Sequence, residues 1–212
     1  MSIIPGLQND YRKYTLSRKD MPYNPMELFN NWLEQAIDEE VNEPSAMALA
    51  TVNEFGQPSC RIVLLKEVAL TGIRFFTNYD SRKGKELAVN PLAATTFFWP
   101  ELERQIRIEG EIHKVENYLS DGYFEIRSRE SQIGTWASYQ SKTIENRRSL
   151  EEQYKKLEKQ FADKPIPRPP YWGGFELVPT RIEFWQGRTG RLHDRFEYHK
   201  TQDGWNLNRL AP

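Results

Sequence analysis

The sequence predicts a mainly β, α+β fold, an antiparallel barrel with flanking helices. Three observations predict it. Short stretches rich in β-branched and aromatic residues, separated by turn formers, recur through residues 46–115 and again through 175–210. The few helical stretches do not alternate with them one by one, as a doubly wound sheet requires. The last segment, about forty residues, is too short to fold alone and must pack back onto the earlier strands. One domain is therefore expected over residues 21–212, preceded by a polar, flexible arm over residues 1–20.

The first helix is well signalled. Asn24 is a good N-cap, Pro25 suits the first helical position, and Glu27 can fold back in a capping box. Leu28, Phe29, Trp32, Leu33, Ala36 and Ile37 then recur with helical period. Strands are expected at residues 46–53, 59–66 and 73–78, the first pair joined by a turn around Gly56. Ser81 caps a helix that ends before Pro91. Strands at 93–99 and 104–115 follow, then helices at 117–127 and 143–161, the second with Leu150, Tyr154, Leu157 and Phe161 in one stripe. A Pro-rich connector over residues 163–171 leads to strands at 175–177, 181–186 and 192–199. Asp203-Gly204 turns the chain into a last strand at 205–210.

Composition narrows the function. Lys plus Arg number 29 against 30 Asp plus Glu, a net charge of −1, which argues against a nucleic-acid binder. The single Cys60 excludes an internal disulfide and a cysteine-rich zinc site, and the three histidines lack zinc-protease spacing, so no metal is expected. No apolar run approaches a membrane span, and Met1 to Lys19 carries no targeting pattern, so the expected location is cytoplasmic. A modest apolar fraction, 38%, with 13% aromatics suggests a core completed by a second subunit.

No dinucleotide fingerprint or Walker loop is present, so phosphate would be bound by Arg, Lys, hydroxyls and helix N-termini. Ser81-Arg82-Lys83 at a helix start is either a capped, solvated helix or an anion site. Arg61 and Lys66 bracket four apolar residues in a buried strand, on opposite faces of an ideal pleat, and need not share one ligand. Tyr123, Arg127 and Ser131 fall at i, i+4, i+8 and share a face if the helix persists; the alternative is an ordinary polar face. Arg191, His193 and Arg195 share an expected strand face, with Asp194 opposite. Such a cluster repels itself without an anion or carboxylate, and an anionic ligand is favoured over a salt-bridge ladder.

Ordered along the chain are Arg61-Ile62-Val63-Leu64-Leu65-Lys66, Ser81-Arg82-Lys83, Ser131-Gln132-Ile133-Gly134, Tyr171-Trp172-Gly173-Gly174-Phe175, Ile182-Glu183-Phe184-Trp185-Gln186-Gly187 and Arg191-Leu192-His193-Asp194-Arg195. Together these blocks resemble the pyridoxine 5′-phosphate oxidase family. The resemblance implies an FMN-binding split barrel, homodimeric, with two sites built across the subunit interface. It implies oxidation of pyridoxine or pyridoxamine 5′-phosphate to pyridoxal 5′-phosphate, with O2 as acceptor and H2O2 as product. It assigns FMN to Arg61, Thr77, Arg82, Lys83, Gln140 and Ser141. The strand Ile62, Val63, Leu64, Leu65 and Lys66, with Phe76, Gln105, Trp185 and Arg195, surrounds the rest of the cofactor. It assigns the substrate phosphate to Lys66, Tyr123, Arg127 and Ser131, and places Arg191 and His193 over the substrate ring as the catalytic pair.

Two positions depart from the family pattern. The family's arm motif, Arg-x-x-Tyr, reads here Tyr11-Arg12-Lys13-Tyr14, so Tyr14 matches as a substrate residue and the arginine does not. Phe76 stands where tyrosine is frequent. A flavin reductase or a flavin or haem binder of the same fold is the rival reading, and it should lack the second phosphate cluster.

Overall fold

The computed structural model describes residues 10–212, so the first nine residues of the expected arm lie outside it. Its strands are β1 (Ala46–Val52), β2 (Pro58–Leu64), β3 (Glu67–Val68), β4 (Ile73–Asn78), β5 (Leu92–Trp99), β6 (Arg104–Lys114), β7 (Trp172–Gln186), β8 (Asp194–Thr201) and β9 (Gly204–Leu210). The helices are α1 (Pro25–Asp38), α2 (Arg82–Val89), α3 (Asn117–Glu125), α4 (Arg129–Ala137) and α5 (Arg147–Gln160). The strands form one sheet in the order β2-β1-β5-β6-β7-β4-β3, with β8 on β7 and β9 on β8. Pairings β3–β4, β4–β7, β7–β8 and β8–β9 are antiparallel.

Capping chemistry sets the helix starts. The Asn24 side chain accepts from the Met26 N–H at 3.0 Å, and Ser81 Oγ accepts from the Gly84 N–H. α1 buries Leu28, Phe29, Trp32 and Ala36 of the stripe its sequence predicts, with Met26 besides, while Leu33 is half-buried and Ile37 is exposed.

The chain divides into two compact units, each assembled from separated stretches. Among the described residues the first comprises 10–48, Ala94–Gly110 and Pro179–Pro212. In its core Phe29 meets Phe97 and Trp32 meets Phe184, edge to face at 5.3 Å, over Ile106 and Ile108. Residues 10–20 of the expected arm pack into this unit: Leu16 is buried, and its N–H donates to the Asp194 carboxylate at 3.1 Å. The second unit comprises Leu49–Ala93 and Glu111–Val178. Phe124, Ile133, Ala137, Leu157, Phe161, Ile166 and Trp172 form a core cluster there. The Pro-rich connector supplies Ile166 to it, and Pro167 accepts from the Trp136 indole at 2.8 Å. No described helix is long and apolar enough to cross a membrane.

Several expectations are corrected. Strand 59–66 is not buried: Ile62 is 65% and Leu64 38% exposed, and Lys66 lies beyond the strand. The face shared by Tyr123, Arg127 and Ser131 does not persist as one helix. α3 ends at Glu125, and Ser128 caps a separate α4, where no helix is expected from the sequence. β7 is a single strand of 15 residues where two were expected, because Pro179, which reads as a break, is carried through it. Of the α5 stripe only Leu157 and Phe161 are buried. Finally, β8 begins at Asp194, so Arg191 and His193 precede it and share no strand face with Arg195.

Candidate active site

The second unit holds a cavity of 490 Å3, within the usual range for small-ligand sites. Ile62, Val63, Leu64 and Lys66 form one side, from the exposed end of β2 and the turn after it. Phe76 and Thr77 on β4 and Lys83 on α2 form another. Tyr123, Arg127, Ser131 and Gln140 close it from α3, α4 and the loops that follow them. All eleven are residues that the family resemblance assigns. Asn78, Gly134, Thr135, Ser138 and Trp172 also line it.

Its aromatic wall is three parallel rings. Phe76 stacks on Tyr123 at 4.1 Å and on Trp172 at 5.6 Å, with interplanar angles below 20°. Tyr123 and Trp172 also lie near-parallel at 6.2 Å, so the three rings pack mutually, with Phe76 where the family often has tyrosine.

Three cations, exposed Lys66 and the more buried Lys83 and Arg127, line this cavity with no carboxylate paired to any of them among the described residues. Lys83 is only 9% exposed. Its ammonium donates to Gln140 Oε1 at 2.7 Å, and Thr77 Oγ1 donates to the same oxygen at 3.3 Å. Burial, and then the neighbouring Arg61, push the Lys83 ammonium down to about 8. Arg127 donates to Thr135 Oγ1 at 2.6 Å and lies 4.8 Å from the Trp172 ring centre. Burial lowers its guanidinium as well. Unpaired buried cations cost free energy, and an anion in the cavity would offset that cost.

Behind Lys83 lies a buried polar network around Glu86. Arg61 donates to the Leu49 carbonyl at 3.0 Å, to Thr51 Oγ1 at 2.6 Å, to Ser59, and to Glu86 at 3.3 Å. Exposed Arg82 pairs with the other Glu86 oxygen at 2.9 Å. Burial pushes the Glu86 carboxyl up, but hydrogen bonds from Ser59, Thr51 and Arg82, with the charge of Arg61, outweigh it and hold the group at about 2. Arg61, Leu65, Arg82 and Ser141 do not line the cavity. Leu65 is buried, and Ser141, left-handed at φ 68°, lines a neighbouring cavity of 430 Å3.

The remaining assigned residues belong to the first unit. His193 packs on Trp185, ring centres 4.7 Å apart. Its Nδ1 accepts the Arg188 N–H at 3.1 Å, so Nε2 carries the ring hydrogen. Burial, with Arg191 and Arg195 outweighing Asp194, lowers the imidazole below its usual range and keeps it neutral at pH 7. Arg191 is exposed and left-handed at φ 62°, directly after Gly190 in the same conformation. Arg195 is already satisfied, with two bonds to Glu183 at 2.8 and 3.0 Å. Buried Asp194 gathers Arg188, Arg209 and the Leu16 N–H. A carboxylate offset is thus present for Arg195, where the sequence favoured an anionic ligand for the whole group. Gln105 is half-buried on β6. The Tyr14 hydroxyl donates to Glu39 at 2.6 Å, and the Arg104 guanidinium lies 4.7 Å from its ring centre.

Sequence reasoning did not single out Glu86, Thr135 or Trp172 as site residues. Glu86 sits four residues after Arg82 and Thr135 four after Ser131, spacings that place each pair on one helix face.

Comparison with known proteins agrees with this geometry. Residues 33–161 match the family model for pyridoxamine 5′-phosphate oxidase, and residues 172–212 match its C-terminal dimerisation region. A pyridoxine/pyridoxamine 5′-phosphate oxidase of Cyanothece sp. is 52% identical over 209 residues, 99% of this chain and 98% of that protein. Its counterpart in Burkholderia mallei is 49% identical over the full length of both. Among solved structures, PhzG from Burkholderia lata, in complex with tetrahydrophenazine-1-carboxylic acid, superposes with a TM-score of 0.88 at 32% identity, covering 93% of this chain and 98% of that one. An FMN-binding, pyridoxamine 5′-phosphate oxidase-related protein from Nostoc punctiforme shares the fold, with a TM-score of 0.71 at 17% identity over 89% of this chain and 97% of that one. The fold is the FMN-binding split barrel with flanking helices. From the full-length relatives and the two matching family models, the chain belongs to the pyridoxine/pyridoxamine 5′-phosphate oxidase family.

Proposed function

We propose that the protein binds FMN and oxidises pyridoxine 5′-phosphate or pyridoxamine 5′-phosphate to pyridoxal 5′-phosphate, using O2 and releasing H2O2. The observation that carries this reading is the set of cavity cations without carboxylate partners among the described residues, Lys66, Lys83 and Arg127, beside a stacked aromatic wall. Lys83 suits a phosphate on the cofactor, and Lys66 with Arg127 suits one on the substrate.

The residues fit FMN. Arg61, Arg82 and Lys83 carry three positive charges and Glu86 one negative, leaving two to match a phosphate dianion. Gln140 and Thr77 extend the polar lining beside Lys83. Bound FMN would supply the redox chemistry, taking a hydride from the substrate's C4′ carbon and passing the electrons to O2. The chain supplies binding and orientation. Lys66, Tyr123, Arg127 and Ser131 hold the substrate phosphate away from the reacting carbon, and Arg191 and His193 lie over the ring. His193 acts there as a neutral donor through Nε2–H, because Nδ1 is occupied by the Arg188 N–H. No protein nucleophile is required, and exposed Cys60 is a spectator.

The dimerisation region at residues 172–212 supports a homodimer, and the reading places the two sites across its interface. Kinship with PhzG raises a non-phosphorylated tricyclic substrate as the alternative. The Lys66, Tyr123, Arg127 and Ser131 set favours a phosphorylated one. The test is whether the purified protein is yellow, releases FMN on denaturation, and bleaches under anaerobic conditions with pyridoxine 5′-phosphate. A protein that neither carries nor takes up FMN would refute the reading.

A further inference from the structure

Tyr11 occupies the position at which the family's arm carries arginine, and nothing in the assigned chemistry uses it. We infer that Tyr11 is a positioning residue whose ring clamps the His193 imidazole against Trp185. The Tyr11 ring meets Trp185 edge to face, with centres 5.6 Å apart and planes at 88°, and meets His193 at 5.8 Å and 63°. With the Trp185–His193 contact at 4.7 Å, the three rings close on one another. His193 is thus held by rings from two sides and by the Arg188 N–H on Nδ1.

The chain makes room for this contact. A methyl group on Gly187 would lie 2.6 Å from Tyr11 Cγ and 2.8 Å from its Cβ, closer than packed carbons come, so the missing side chain is the gap the tyrosine fills. The arm is pinned on the far side of Tyr11 by the Lys13 N–H on Glu103 at 2.9 Å and by the Leu16 N–H on Asp194. The charged groups around His193 are Arg191, Arg195 and Asp194, and Arg188 is neutralised on Asp194. An arginine at position 11 would add a cation to this set and could not offer the same aromatic edge. The tyrosine instead excludes water from the ring, in keeping with the lowered imidazole.

The test follows the imidazole itself, by NMR titration of the ligand-free protein, with His193 distinguished from His113 and His199 by its loss in His193→Gln. Tyr11→Ala should raise the His193 midpoint toward its ordinary value, because water reaches the ring. Tyr11→Phe should leave it unchanged. Gly187→Ala, which displaces the ring without altering Tyr11, should reproduce the Tyr11→Ala shift. In the holoenzyme, Tyr11→Ala should lower kcat about tenfold with FMN content unchanged, through misorientation of His193; only this arm rests on the proposed reaction. An unmoved midpoint in Tyr11→Ala, or a Tyr11→Phe that shifts like it, overturns the clamp. If the wild-type chain proves not to oxidise the substrate, the titrations still decide the inference.

Discussion

Lys83→Met should stabilise the ligand-free protein at pH 7 and strip it of FMN. The fall of the ammonium from 10.5 to about 8 corresponds to about 3 kcal/mol against the charged form. Water reaching the open cavity reduces that figure, and methionine preserves most of the packing, so a gain of roughly 1–2 kcal/mol is expected. The unfolded lysine keeps its proton to about 10.5 and the folded one releases it near 8, so the unfolded state binds more protons between these values. Stability of the ligand-free wild type should therefore rise with pH across that window, and the advantage of Lys83→Met should shrink. FMN binding moves the other way: wild-type affinity should fall as pH passes above 8. Loss of one charge-assisted contact should weaken binding at pH 7 by about 10- to 150-fold. Urea melts at pH 7 and 9.5, with flavin fluorescence titrations, measure both halves. A variant less stable at pH 7 that keeps its flavin would refute the unpaired-cation argument.

Arg127→Ala should raise KM for the phosphorylated substrate about 10- to 150-fold with little change in kcat, since the contact is equal in ground and transition states. Its FMN content should stay normal, and steady-state kinetics with flavin quantification check both. Arg191→Ala should instead depress kcat, by turning the substrate ring relative to the cofactor, and single-turnover bleaching would report it. Glu86 holds its carboxyl at about 2 against an ordinary 4.5, so its contribution is full above 4.5 and is lost as pH falls from 4.5 toward 2. Glu86→Ala should therefore cost about 3–5 kcal/mol at pH 7, by leaving Arg61 without its carboxylate, and much less at pH 2.5 in acid-unfolding curves.

The elements that carry their own punctuation were legible in the sequence. Asn24 and Ser81 placed α1 and α2, and alternating apolar residues placed β1, β4, β5 and β6 to within a residue or two. What failed was continuity. Ile126 and Arg127 look like more of α3, yet Ser128 restarts the chain as α4; Pro179 looks like a strand end, yet β7 runs through it. The charges of the site were equally visible, but their pairing was not. Nothing local distinguishes Arg195, bound to Glu183 twelve residues earlier, from Arg127, which has no carboxylate. The Tyr11–His193 contact joins residues 182 apart in the chain, beyond any spacing rule.

The assembly of each unit from separated stretches also bears on how the chain is made. One unit needs residues up to Val178 and the other needs residues up to Pro212, so neither can close while most of the chain is still being synthesised. At roughly 5–20 residues per second, β4, complete at Asn78, waits about 5–22 s for β7 to finish at Gln186. During that interval β4 and β6, the two neighbours of β7 in the sheet, present open edges to solvent, the condition under which nascent chains aggregate. Loops must also close over long separations before contacts reward them, which slows the final step. Yield in a cell should thus depend on chaperones that cover these strands until β7 emerges.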